Sequence, residues 1–153
     1  MTSIADNGYM AMALEAALEA AGRGEVPVGA VIVSGDGAVL ATAGNRMREL
    51  HDPTGHAEIL AIRAACVSRD SDRLPDCDLY VTLEPCAMCA AAISFARIRR
   101  LYFGAGDPKG GAVEHGPRFF NQPTCHHAPD VYGGIDATRS EEMLKAFFAE
   151  RRG

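Results

Sequence analysis

No stretch of the chain approaches the ~18 consecutive apolar residues that a membrane span needs. The N-terminal segment is apolar in places, but Asp6, Glu15 and Glu19 interrupt it and no basic region precedes it. A signal peptide is therefore not expected, and the cytoplasm is the expected compartment. Gly, Pro and Ser do not gather into a linker, and there is no internal repeat or low-complexity tract. The expectation is one domain, residues 1–153, long enough to close a single core without staples. An even set of cysteines is also missing. The five present (Cys66, Cys77, Cys86, Cys89, Cys125) argue against a disulfide framework and for reduced thiols, some of them on metal. Nor is there an excess of positive charge: a net charge of −5 excludes a protein that grips nucleic acid with its whole surface and leaves room for a local basic patch.

What is present is an alternation of helical and strand patterns. Met10, Ala13, Leu14, Ala17, Leu18 and Ala21 follow helical spacing within a helix read from Ile4 to Ala21, which Gly22 and Gly24 stop. Val26 to Val33 is rich in β-branched residues and reads as a buried strand. Ser34-Gly35-Asp36-Gly37 is turn chemistry, and Ala38 to Ala43 returns as its partner. A polar loop follows from Gly44 to Gly55, then a helix from His56 to Val67, a strand from Asp78 to Leu83, and a helix from Cys86 to Phe95 opened by Pro85. Arg100 to Gly104 is a further strand. Residues 105 to 129 read as a long loop, Val131 to Ile135 as a weak last strand, and Ser140 to Arg152 as a final helix capped by Ser140. This order predicts an α/β layer fold with helices covering a mixed sheet.

Cys86 and Cys89 stand three apart at a helix start, so their side chains share one face. The helix N-terminus favours thiolates there, and hence metal ligation. Alone, the pair also fits a thioredoxin-like redox motif. His56, however, begins another helix. If the two N-termini meet at one sheet edge, one imidazole and two thiolates converge on Zn²⁺ and leave a fourth position for water, the catalytic pattern. Cys66 lies about 15 Å along its helix from His56, and Cys77 roughly 20 Å from the far end of its strand, so neither reaches. Spacing alone does not exclude Cys125, His115, His126 or His127. Glu58, in the first turn beside His56, is placed for general acid/base work; the bland alternative is that it complements the helix dipole.

His56-Ala57-Glu58 followed by Pro85-Cys86-Ala87-Met88-Cys89 resembles the signature of the cytidine deaminase superfamily. Val26-Pro27-Val28-Gly29-Ala30, Gly44-Asn45-Arg46, His51-Asp52-Pro53-Thr54, Leu79 to Glu84, Ala96-Arg97-Ile98 and the segment from Phe103 to Gly110 extend the likeness to the bacterial tRNA adenosine deaminases. It covers roughly residues 8 to 150 and is most specific from Val26 to Gly111. One departure is Gly55, where the family usually has Ala; it touches no catalytic atom.

The resemblance implies a three-layer α/β/α fold with a five-stranded mixed sheet, a homodimer, and hydrolytic conversion of the wobble adenosine of an arginine tRNA to inosine. Through it, His56, Cys86 and Cys89 hold zinc. Glu58 carries a proton from the zinc-bound water to the ring nitrogen and then to the leaving amine. Asn45 hydrogen-bonds the nucleoside, and Asp107 and Lys109 line the groove for the tRNA anticodon stem-loop.

Arg151 beside Phe147 and Phe148, and the cluster Arg97, Arg99 and Arg100, are the basic and aromatic groups that suit unstacked RNA. At least one of the two phenylalanines is expected in the core, leaving Phe148 and Arg151 as substrate candidates. His126 and His127 read as incidental, and Cys66 as a core residue. Competing functions are a deaminase of free bases or nucleosides, such as guanine or cytosine, and a non-catalytic zinc or redox domain. Glu58 disfavours the last, since a structural site has no use for it and takes four ligands.

Overall fold

In the computed structural model, which describes residues 8–152, five strands form one mixed sheet in the order β2-β1-β3-β4-β5. The elements run α1 (Tyr9–Gly22), β1 (Gly29–Val33), β2 (Val39–Gly44), α2 (Met47–Leu50), α3 (Ala57–Arg69), β3 (Asp78–Leu83), α4 (Ala87–Phe95), β4 (Arg100–Ala105), a single 3₁₀ turn (Phe119–Asn121), β5 (Asp130–Tyr132) and α5 (Ala137–Arg152). β1 pairs antiparallel with both β2 and β3, while β3, β4 and β5 are parallel. The first helix begins at Tyr9, so Ile4 to Asn7 of the expected helix lie outside the described residues.

The sheet is covered on both faces, and strand alternation sorts its side chains. Ala30, Ile32, Leu79, Val81, Leu101 and Phe103 belong to the core shared with Ala57, Ala61 and Ala65 of α3 and Ala90 and Ile93 of α4. Val31, Val33, Tyr80 and Tyr102 face the other way, against Met10, Ala13 and Leu14 of α1 and Met143 of α5. β1 is buried along its whole length, which is why its sequence is continuously apolar rather than alternating. On the second face Tyr80, Tyr102 and Tyr132 stand in register on adjacent strands and stack at 4.5 and 4.9 Å between ring centroids.

Gly29 fixes how closely α1 approaches the sheet. A Cβ there would lie 1.9 Å from Ala13 O and 2.7 Å from Ala17 N, both helix backbone. Gly29→Ala is expected to lower stability by about 3 kcal/mol or more, because no side chain can swing away to make room; urea denaturation measures it.

Several sequence expectations are corrected. The Gly44 to Gly55 segment contains α2, whose Arg48 and Glu49 N–H groups donate to the buried Glu25 carboxylate at 3.2 and 2.9 Å. Ser140 is not a helix cap: α5 starts three residues earlier at Ala137, and the buried Ser140 hydroxyl donates to Thr82 O at 2.5 Å, tying helix to sheet. The last strand is shorter than expected and ends at Tyr132. Arg99 and Arg100 do not form an RNA patch at the site. Both face the buried Asp78 at the start of β3, Arg99 through two bonds of 3.0 Å and Arg100 at 3.9 Å. The site lies past the far end of that strand, about 17 Å away.

Candidate active site

α3 and α4 both start beyond the carboxyl end of β3 or beside it, the edge of an open α/β sheet where ligands bind. His56 and Cys86 occupy equivalent places, each in extended conformation at the N-cap of its helix, with φ −74° and −75°. Cys89 follows in the first turn of α4. His56 Nδ1 lies 3.7 Å from Cys86 Sγ and 3.6 Å from Cys89 Sγ. All three ligand atoms fall within 4.8 Å of one another, and no other His, Cys, Asp or Glu among the described residues forms such a group. The remaining candidates are elsewhere: Cys125 Sγ donates to His127 O at 3.1 Å, His127 Nε2 pairs with Ile98 O at 2.7 Å, and His115 pairs with Glu84.

The donor set fits zinc on two counts. A tetrahedral ion with Zn–N near 2.05 Å and Zn–S near 2.3 Å separates nitrogen from sulfur by about 3.6 Å, which is the spacing found. The charges also ask for a cation. Cys86 is held down at about 4, first by the hydrogen bond from Cys89 and also by His56, while that same bond and burial push the Cys89 thiol up. The sulfurs thus accommodate one negative charge between them, and a second thiolate needs a positive ion.

Glu58 is buried beside this group, and burial pushes its carboxyl up to about 7, with the Cys86 thiolate adding to the shift and His56 opposing it. A carboxyl at that value both accepts and donates a proton near neutral pH. Val26, Val28, Asn45, Met47, Leu83, Glu84, Asp107 and Gly110 complete a cavity of about 220 Å³ with His56, Glu58 and Cys86. That is smaller than the ~300–1,000 Å³ of drug-sized pockets and suits a single base. Asn45 is buried, and its Oδ1 accepts the Ala57 N–H at 2.8 Å, satisfying an α3 amide with no partner inside the helix. Its NH₂ group is what it has left to offer an occupant.

Two open grooves share walls with the cavity. One runs past Lys109, Leu144, Lys145 and Phe148, the other past Arg48, Phe147, Phe148 and Arg151. Phe147 is buried, while Phe148 is 43% exposed between the grooves. Arg151 lies over the Phe147 ring at 4.5 Å and donates to Gly24 O at 3.1 Å. Asp107 Oδ1 accepts the N–H groups of Lys109 and Gly110 at 3.2 and 3.0 Å, closing its own turn.

Residues 3–105 match the model of the cytidine and deoxycytidylate deaminase zinc-binding region. Over 144 residues, 94% of each chain, the sequence is 65% identical to the tRNA-specific adenosine deaminase of Agrobacterium fabrum. The chain belongs to the tRNA-specific adenosine deaminase family. A solved structure from a study of A-to-I editing by tRNA:A34 deaminases at the wobble position superposes with a TM-score of 0.87 at 65% identity, covering 89% of this chain and 98% of that one. The guanine deaminase of Bacillus subtilis is more distant, with a TM-score of 0.64 at 33% identity over 95% of this chain and 92% of its own.

A residue to which sequence pattern assigns no role is Glu84. Its carboxylate is fully buried and accepts four backbone N–H groups from residues 107 to 115 together with His115 Nδ1. Burial alone would push it up; the N–H of Asp107, His115 and the other amides outweigh that and leave it below its ordinary value. Only the acidic residue next to Pro85 hinted at it in the sequence, and nothing there named the donors.

Proposed function

We propose that this protein hydrolytically deaminates adenosine to inosine at the wobble position of a tRNA anticodon, with an arginine tRNA as substrate. The observation that carries this reading is the 65% identity to a tRNA-specific adenosine deaminase over 94% of the chain, in a molecule whose His56, Cys86, Cys89 and Glu58 meet at one base-sized cavity. His56, Cys86 and Cys89 are the zinc ligands. Zinc in such a three-ligand site supplies Lewis-acid activation of water at neutral pH.

The chain's own residues do the rest. Glu58 takes up one proton of the attacking water and gives it to the purine ring nitrogen, then takes the second from the hydroxyl added to the purine carbon and gives it to the amine, which departs as ammonia. Its buried place beside His56 and Cys86, within the cavity, puts it where both transfers occur. Val26, Val28 and Leu83 wall the cavity against bulk water, and Asn45 holds the nucleoside through its amide NH₂. Asp107, Lys109, Phe148 and Arg151 line the route of the flanking RNA. An anticodon loop presents its bases already unstacked, which lowers the cost of drawing one into the cavity.

The working unit is one domain, residues 1–153, acting in the cytoplasm as a homodimer. Val67 on α3 and Phe95 on α4, 82% and 70% exposed, supply apolar area on the helical layer away from α1 and α5.

Deamination of a free base is the second reading, supported by the 33% identity to guanine deaminase. Assay of an anticodon stem-loop with adenosine at the wobble position, beside free adenosine, guanine and cytidine, separates them. Turnover of the stem-loop alone is expected; preference for guanine would reverse the order. Binding of the stem-loop should weaken steeply with salt as phosphate contacts release counterions, and a flat response would count against the basic grooves.

A further inference from the structure

The backbone of Glu84 continues β3, its N–H donating to Ala105 O at 2.8 Å, and the next two residues are Pro85 and Cys86. Its carboxylate faces the other way, into the loop after β4. Oε1 accepts the Asp107 N–H at 2.8 Å and lies 2.6 Å from His115 Nδ1; Oε2 accepts the N–H groups of Val113, Glu114 and His115 at 3.1, 2.8 and 3.1 Å. Because a carboxylate only accepts, His115 carries its proton on Nδ1 here. Gly111 packs onto the same group, and a Cβ there would come 2.5 Å from Glu84 Cδ. Residues 106 to 115 contain no helix or strand, so this carboxylate is the centre about which the loop is wound. The loop gives Asp107 and Gly110 to the base cavity, and Gly106, Asp107 and Lys109 to the adjoining groove.

We propose that Glu84, with His115 as its side-chain partner, is a positioning residue for the substrate. It sets the 106–115 loop at the height where Asp107, Lys109 and Gly110 meet the RNA. This rests on the tRNA-deaminase reading above. Glu84 transfers no proton of the reaction. It registers the substrate wall against the helix that bears Cys86 and Cys89, since one residue is held by the sheet and in turn holds the loop.

The test uses the zinc-loaded full chain and an anticodon stem-loop, with His115→Leu, His115→Asn and Glu84→Gln. In His115→Leu, amides 107 and 113 to 115 should exchange at least ~10-fold faster while those of β1, β3 and β4 stay unchanged. KM for the stem-loop should rise about 10-fold with kcat within roughly threefold, and zinc content should not change. His115→Asn, whose side-chain amide can donate to Oε1, should restore both values. Glu84→Gln should shift them further in the same direction, since it turns one acceptor into a donor among donors. If that variant fails to fold, the His115 pair decides.

Unchanged exchange in His115→Leu overturns the inference, as does faster exchange with an unchanged KM, or lost zinc with a fallen kcat. A wild-type protein inactive on the stem-loop strikes the proposed function and this inference with it. An active wild type with any of the preceding results strikes the inference alone.

Discussion

Glu58→Gln should lower turnover of the stem-loop by about 10²–10⁴-fold, with zinc content near one per chain and KM little altered. Glutamine keeps the shape of the side chain but can neither take up nor release the proton. The alternative role, complementing the α3 dipole, is worth only ~0.3–1 kcal/mol and would show in stability rather than turnover. Burial of Glu58 beside His56 and Cys86, within the cavity, favours the first role. Full activity in the variant would remove Glu58 from the proton path.

The same substitution has a pH signature in zinc-stripped protein. The Glu58 carboxyl sits at about 7 in the fold against an ordinary 4.5. The folded chain therefore binds its proton more tightly, and the associated stability is full below about 4.5 and lost as pH rises through about 7. Glu58→Gln should flatten that decline, which denaturation midpoints across the window measure.

Cys86→Ser and Cys89→Ser should each drop zinc from about one per chain to a small fraction, because a hydroxyl is a poor replacement for a thiolate. Activity should fall with the metal, by three orders of magnitude or more on the scale of lost metal-assisted catalysis. Cys66→Ser and Cys125→Ser should keep both zinc and turnover, since neither sulfur belongs to the His56 group. Elemental analysis beside single-turnover rates checks this. A Cys86→Ser protein that holds zinc and works would mean that the ligand set is wrong.

Much of the fold was legible where local pattern and chemistry agree. The composition of β3 marks its observed ends, and α3 and α4 are legible because a turn or a proline precedes an apolar helix. The convergence of His56 with Cys86 and Cys89 could be argued from helix starts at one sheet edge. What stayed hidden depends on partners distant in sequence. α2 is four residues long and takes its terminal acceptor from Glu25, 23 positions from Arg48. Ser140 has the composition of a cap, yet its hydroxyl bonds Thr82, 58 positions away. Arg99 looks like a nucleic-acid ligand until Asp78, 21 positions earlier, is placed against it. Glu84 was visible only as a conspicuous letter, since all five of its donors lie at least 23 residues downstream.

His56 stands 30 residues before Cys86, and between them runs β3, which must slot between β1 and β4 before the two helix starts are neighbours. Pairing β3 with strands on both sides is slow compared with forming either helix. On that order the ion would enter a receptacle the sheet has already assembled. A chain refolding under chelation should regain its strands at the normal pace and await only its ion.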